Sequence, residues 1–169
     1  MTAKLVLGVV VSLFAMAVAS VVVHVLGLGK ARIEVVAVVV VWACLSLDTT
    51  RAAFCSFAAG YLFDLMSGSP TGLYPLVAML TFAVCRVAVA MVDVSHPAGF
   101  AVLCGVIDCV HQLLAWGLIA LFVQAGAHSI LAAIPATASL TALGGLALYP
   151  IFHRLDLAFD REESSVIYR

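Results

Sequence analysis

The sequence predicts an all-α integral membrane protein, a polytopic bundle of about six transmembrane helices. Three observations lead there. Of the 169 residues, 65% are hydrophobic and only 10% are charged. The mean hydropathy is +1.22. Apolar runs of 15 to 26 residues recur along the chain, too many and too long to fold as one soluble core. Little chain is left for a soluble catalytic domain of ordinary size, so function must lie in the bundle or on its surface. A net charge of −1 without a basic cluster sets nucleic acid aside as a partner and leaves membrane lipid as the surroundings.

The first run, residues 5–28, follows Lys4 and has 24 residues, enough at ~1.5 Å each to cross a hydrocarbon core of roughly 30 Å. Its start resembles a secretory signal, with Ala17-x-Ala19 as a cleavage site, but the run continues and further runs follow, so a retained helix is expected. Runs 33–47 and 52–66 have 15 residues each, roughly 22 Å, short for a full crossing. They form a hairpin around residues 48–51, with Asp48 placed to cap the second of them. Residues 67–72 are turn chemistry, with Gly68 and Gly72 for positive φ and Pro70 to end the preceding helix. Run 73–92 follows, residues 93–97 break the chain, and runs 98–123 and 130–152 complete the set. Residues 153–169 read as a charged, soluble tail beyond the transmembrane domain of residues 1–152.

Six crossings place both termini on one side. That side holds Lys4, Arg51, Arg154, Arg161 and Arg169 against Lys30 and Arg32, so the termini are expected in the cytoplasm. A second arrangement has five crossings, with residues 33–66 as a re-entrant hairpin and the tail outside.

Helices in lipid associate through close backbone approach, so small residues should line the contacts. Gly8, Ser12, Ala15 and Ala19 share a face of the first run, and Ala53, Ser56, Gly60 and Asp64 share a face of the third. These are read as packing stripes within one bundle; a homodimer face is the less favoured reading. The five cysteines Cys44, Cys55, Cys85, Cys104 and Cys109 fall inside apolar runs, without a CxxC or Cys/His metal spacing. They read as small buried hydrophobes, with no disulfide, metal or cofactor expected.

Polar residues inside a membrane are the default functional candidates. Arg86 and Asp108 have similar expected depths beneath the cytoplasmic face, and an internal ion pair is predicted between them. Asp108, His111 and Gln112 stand at i, i+3 and i+4 and make one polar face, which reads as a clamp between helices, a ligand site or a proton relay. An aspartyl-protease dyad of Asp64 and Asp108 is excluded by their different depths. The sequence holds no HExxH, phosphate loop or nucleophile–base pair, nor the aspartate motifs of lipoprotein signal peptidases, and the chain is expected not to be an enzyme.

The segment Gly60-Tyr-Leu-Phe-Asp64-Leu-Met-Ser-Gly68-Ser-Pro70-Thr-Gly72-Leu73 has a physical reading of its own. Gly60, Asp64 and Gly68 are spaced four apart on one helix face, the glycines admit another backbone, and Asp64 needs donors because it lies near a helix C-terminus. Donors are at hand in the backbone N–H groups of residues 67–72 and the start of the next run, or in the hydroxyls of Ser67, Ser69 and Thr71, so Asp64 is expected to pin that turn. The same segment resembles the signature of the MreD family of rod-shape-determining membrane proteins, which it covers over about a twelfth of the chain. The resemblance implies a fold similar to the substrate-binding subunits of energy-coupling-factor vitamin transporters. It also implies a non-enzymatic scaffold of the cell-elongation machinery, bound to MreC and through it to MreB filaments and the RodA–penicillin-binding-protein peptidoglycan synthase. The alternative function is a substrate-binding membrane subunit of a small-solute transporter, for which Ala15-x-x-x-Ala19 would be the docking motif.

Overall fold

The structure, a computed structural model, describes residues 34–67, 72–91, 96–123 and 133–167, together with Val10 and Val94. Five helices are described: α1 (Val35–Ser46), α2 (Thr49–Ser67), α3 (Leu73–Met91), α4 (Pro97–Val123) and α5 (Ile134–Ile167). The run 5–28 and its stripe of Gly8, Ser12, Ala15 and Ala19 lie outside the described residues, as do Gly68 and Pro70.

Helix α1 sits at the centre. It packs against α2, α3, α4 and α5, and every side chain from Val35 to Cys44 is buried. A segment of valine, alanine, tryptophan and cysteine has no polar face to present to water, and a helix that is apolar all round is stable only when enclosed. Around it, α2 runs along α3 and α4 along α5. Small residues set both approaches. A Cβ on Gly60 of α2 would stand 2.7 Å from the Ala78 Cβ and 2.8 Å from the Tyr74 carbonyl oxygen of α3. In α4, a Cβ on Gly105 would stand 3.3 Å from the Ala138 carbonyl oxygen, and one on Gly145 of α5 would reach the Cys104 Sγ at 3.0 Å. Close backbone contact of this kind is what holds helices together where lipid is as apolar as the side chains.

The buried side of α2 carries Ala52, Cys55, Ser56 and Ala59, and its outer side carries Phe54, Phe57, Tyr61 and Leu65. Ser56 returns its hydroxyl to the Ala52 carbonyl at 2.8 Å. Ala53 is only partly buried, so the packed stripe is rotated slightly from the one expected. Elsewhere Met91, Val102, Leu121 and Leu143 point outward, an apolar exterior of the kind a bilayer covers.

The fold fits an all-α membrane protein, and it corrects the expected six crossings. Among the described residues three helical stretches are long and apolar enough to cross a membrane: Leu73–Met91, Pro97–Leu121 and Ile134–Arg154. Helix α1 has 12 residues, about 18 Å at helical rise, and falls short. Helix α2 has 19 residues, but Arg51, Asp64 and the threonines of its first turn lower its hydropathy. Helix α5 continues through Pro150 to Ile167, so residues 153–167 of the expected charged tail are helical. The hairpin between α1 and α2 is tight, and Asp48, expected as a cap, precedes α2 with its carbonyl accepting the Ala52 N–H at 2.8 Å and its carboxylate 3.3 Å from Arg51 Nη1.

Candidate functional site

At the α2–α3 turn, Asp64 stands one helical turn beyond Gly60 and is 7% exposed. Its Oδ2 accepts the backbone N–H of Gly72 at 2.7 Å. Gly72 has φ of +96° and leads directly into Leu73, the first residue of α3. The carboxylate therefore bridges the end of one helix and the start of the next, and it meets the positive end of the α3 dipole. Among the described residues, apart from its chain neighbours, none comes within 4 Å of where a Gly72 Cβ would be, and the positive φ itself calls for glycine there. Phe63 and Tyr74 close the same turn with an edge-to-face contact at 4.6 Å.

A second polar cluster lies inside the bundle, on α4. Gln112 Nε2 donates to Asp108 Oδ2 at 2.7 Å and also to Thr137 Oγ1 of α5. The hydroxyl of Thr141 lies beside Asp108 and accepts the Glu34 backbone N–H at 3.0 Å, which ties in the N-terminal end of α1. His111, 2% exposed, contacts Thr81 of α3 through Nδ1 at 3.0 Å. The Thr81 hydroxyl also donates to the Val77 carbonyl at 2.8 Å, which leaves its oxygen placed to accept from His111 Nδ1. The predicted polar face of Asp108, His111 and Gln112 thus joins four helices.

The predicted ion pair between Arg86 and Asp108 is not formed. Arg86 Nη1 donates to the Cys44 carbonyl at 2.9 Å and Nη2 donates to Thr49 Oγ1 at 2.7 Å. The C-terminal end of α1 leaves carbonyls without helical partners and carries negative dipole charge, and a guanidinium satisfies both. Depth reckoning from separate runs could not place that end beside Arg86. On the same side of the bundle Ser46 Oγ donates to Asp156 Oδ2 at 2.8 Å, and Trp42 stacks on Phe152 at 5.0 Å, so α1 is fixed to α5 as well.

Thr81, Thr137, Thr141 and Glu34 complete the interior cluster and were not predicted. Thr137 and Thr141 are four apart on a run without charge, a spacing that marks one helix face and was the available signal. Glu34 is the second residue of the run 33–47, and nothing in the sequence marks its backbone N–H as a partner for a threonine 107 residues away.

Chemically, the interior cluster is a set of mutual hydrogen bonds between helices, and the Asp64 turn is an anchored junction. Among the described residues no group of histidine, cysteine and carboxylate side chains could hold a metal ion. The arrangement defines a helical membrane protein whose polar residues join helices to one another. Compared with known proteins, the chain matches no family model, no curated protein and no solved structure.

Proposed function

We propose that the chain is a non-enzymatic scaffold of the bacterial cell-elongation machinery, of the MreD kind, in the inner membrane with both termini cytoplasmic. The observation that carries this reading is the junction built by Gly60, Asp64 and Gly72, the segment through which the sequence resembles that family. Gly60 brings α2 within backbone contact of α3, and Asp64 locks the connecting turn through the Gly72 N–H. A rigid helix pair with an aromatic outer face, Phe54, Phe57 and Tyr61, suits a protein that acts by holding another transmembrane segment. The bound protein would be MreC, with MreB and the RodA–penicillin-binding-protein synthase recruited indirectly.

The test is affinity purification of the chain from its own membranes in mild detergent, with bound proteins and small molecules identified by mass spectrometry. MreC should be recovered with the unaltered chain and lost with Gly60→Ala. Recovery of a small solute without a protein partner would overturn the scaffold in favour of a transporter subunit.

A further inference from the structure

Two buried atoms of the interior cluster take no part in its hydrogen bonds. Asp108 is fully enclosed, at 0% exposure, and its Oδ1 has no hydrogen-bond partner among the described residues. One helical turn on, His111 Nε2 is buried and unpartnered in the same way. The other atom of each side chain is engaged: Asp108 Oδ2 accepts from Gln112 Nε2 at 2.7 Å, and His111 Nδ1 stands 3.0 Å from Thr81 Oγ1. The two residues are three apart, so both unpartnered atoms belong to one face of α4. With Thr81 placed to accept at Nδ1, Nε2 carries a lone pair, and an ionised Asp108 would add a second acceptor and no donor. No cation answers that charge among the described residues. Arg86 is committed to the far end of α1 through the Cys44 carbonyl. Helix α3 brings Thr81, α5 brings Thr137 and Thr141, and the start of α1 brings Glu34, itself an acid. On α4 the neighbouring titratable groups are His111 and Cys104. A charged carboxylate enclosed among neutral amide and hydroxyl groups is strongly disfavoured against the uncharged acid.

We propose that Asp108 is a proton-binding site, its carboxyl held as the neutral acid inside the folded bundle with the proton on Oδ1. The proton comes from solvent as the helices assemble, before the site is enclosed, so the folded chain needs no channel to it. Once bound, it makes Oδ1 a donor, complementary to the lone pair of His111 Nε2 on the same face, while Oδ2 keeps its bond from Gln112. A buried face that would otherwise present one net charge to the interior becomes neutral, and the four helices meeting there join through uncharged groups alone.

The test is infrared spectroscopy of the full chain at neutral pH, carrying aspartate labelled with heavy carbon at its carboxyl, in a maltoside detergent that has no carbonyl of its own. A protonated carboxyl absorbs apart from an ionised one, and the label assigns the band to aspartate. The expected result is a protonated-aspartate band that shifts with the label and is lost in Asp108→Asn. It should persist in Asp48→Asn, which replaces a carboxylate on a side chain that is 74% exposed. Asparagine is a neutral copy of the acid, so Asp108→Asn should also fold and elute from size exclusion with the unaltered chain. Absence of the band from the unaltered labelled chain, or its survival in Asp108→Asn, would overturn the proposal. Collapse of Asp108→Asn would overturn it as well, because the fold would then depend on the charge.

Discussion

Arg86 holds the Cys44 carbonyl at 2.9 Å, so the charge of α3 closes the C-terminal end of the central helix. A guanidinium in this position meets both an unpaired carbonyl and the negative end of a helix dipole. Arg86→Ala should therefore lower stability by about 1.5–3 kcal/mol, the range for hydrogen bonds to a charged group. Because Arg86 and Asp108 share no partner, Arg86→Ala and Asp108→Ala should be additive within roughly 0.5 kcal/mol, measured by denaturant unfolding of the singles and the double in detergent. A double variant much milder than the sum would restore the ion pair.

The junction at Asp64 gives a second expectation. Asp64→Ala should cost about 1.5–3 kcal/mol by removing the acceptor of the Gly72 N–H, while Asp64→Asn, which keeps an acceptor oxygen, should cost less. Gly72→Ala should cost roughly 1–2 kcal/mol through its positive φ alone. Thermal unfolding in detergent orders the three variants, and equal losses for Asp64→Ala and Asp64→Asn would remove the hydrogen bond from the account.

Gly60 and Gly117 make a controlled pair. A methyl on Gly60 meets the Tyr74 carbonyl oxygen at 2.8 Å, and no other described residue comes within 4 Å of one on Gly117. Gly60→Ala should destabilise by about 1–3 kcal/mol, the cost of overpacking, whereas Gly117→Ala should be neutral or gain up to ~1 kcal/mol of helix propensity. Folded yield by size-exclusion chromatography provides a rapid comparison before unfolding is measured.

Topology follows from the bond between Ser46 and Asp156. It places the α1–α2 hairpin and the late part of α5 at one end of the bundle, with the Asp64–Gly72 turn at the other. Reporter fusions inserted at Asp48 and joined after Arg169 should read the same compartment, and one inserted in residues 68–71 the opposite compartment. Opposite readings at Asp48 and Arg169 would require a different path for α5.

The runs that became α3 and α4 were legible because punctuation bounds them: Gly72 before Leu73, and Pro97 at the start of α4. The turn at Asp64 was legible for the same reason, since a carboxylate four residues after a glycine and just before turn chemistry has few places to find donors. The central position of α1 was hidden. A run such as Val38–Val41 has no polar residue to indicate which face is covered, and hydropathy cannot separate a helix enclosed by protein from one enclosed by lipid. The partner of Arg86 was hidden because a backbone carbonyl at a helix end has no sequence signature. At residues 153–167 charge marked a polar tail, but its helical form was not legible from charge alone.

The enclosure of α1 makes assembly a matter of time. Its N-terminal end is tied to Thr141, and Glu34 and Thr141 are 107 residues apart in the chain. At synthesis rates of about 5–20 residues per second, roughly 5–20 s pass between the appearance of one and the other. Through that interval α2, α3 and α4 are the described helices available to cover a helix too short to span the bilayer, and α5 completes its enclosure as the last of the described helices to be made.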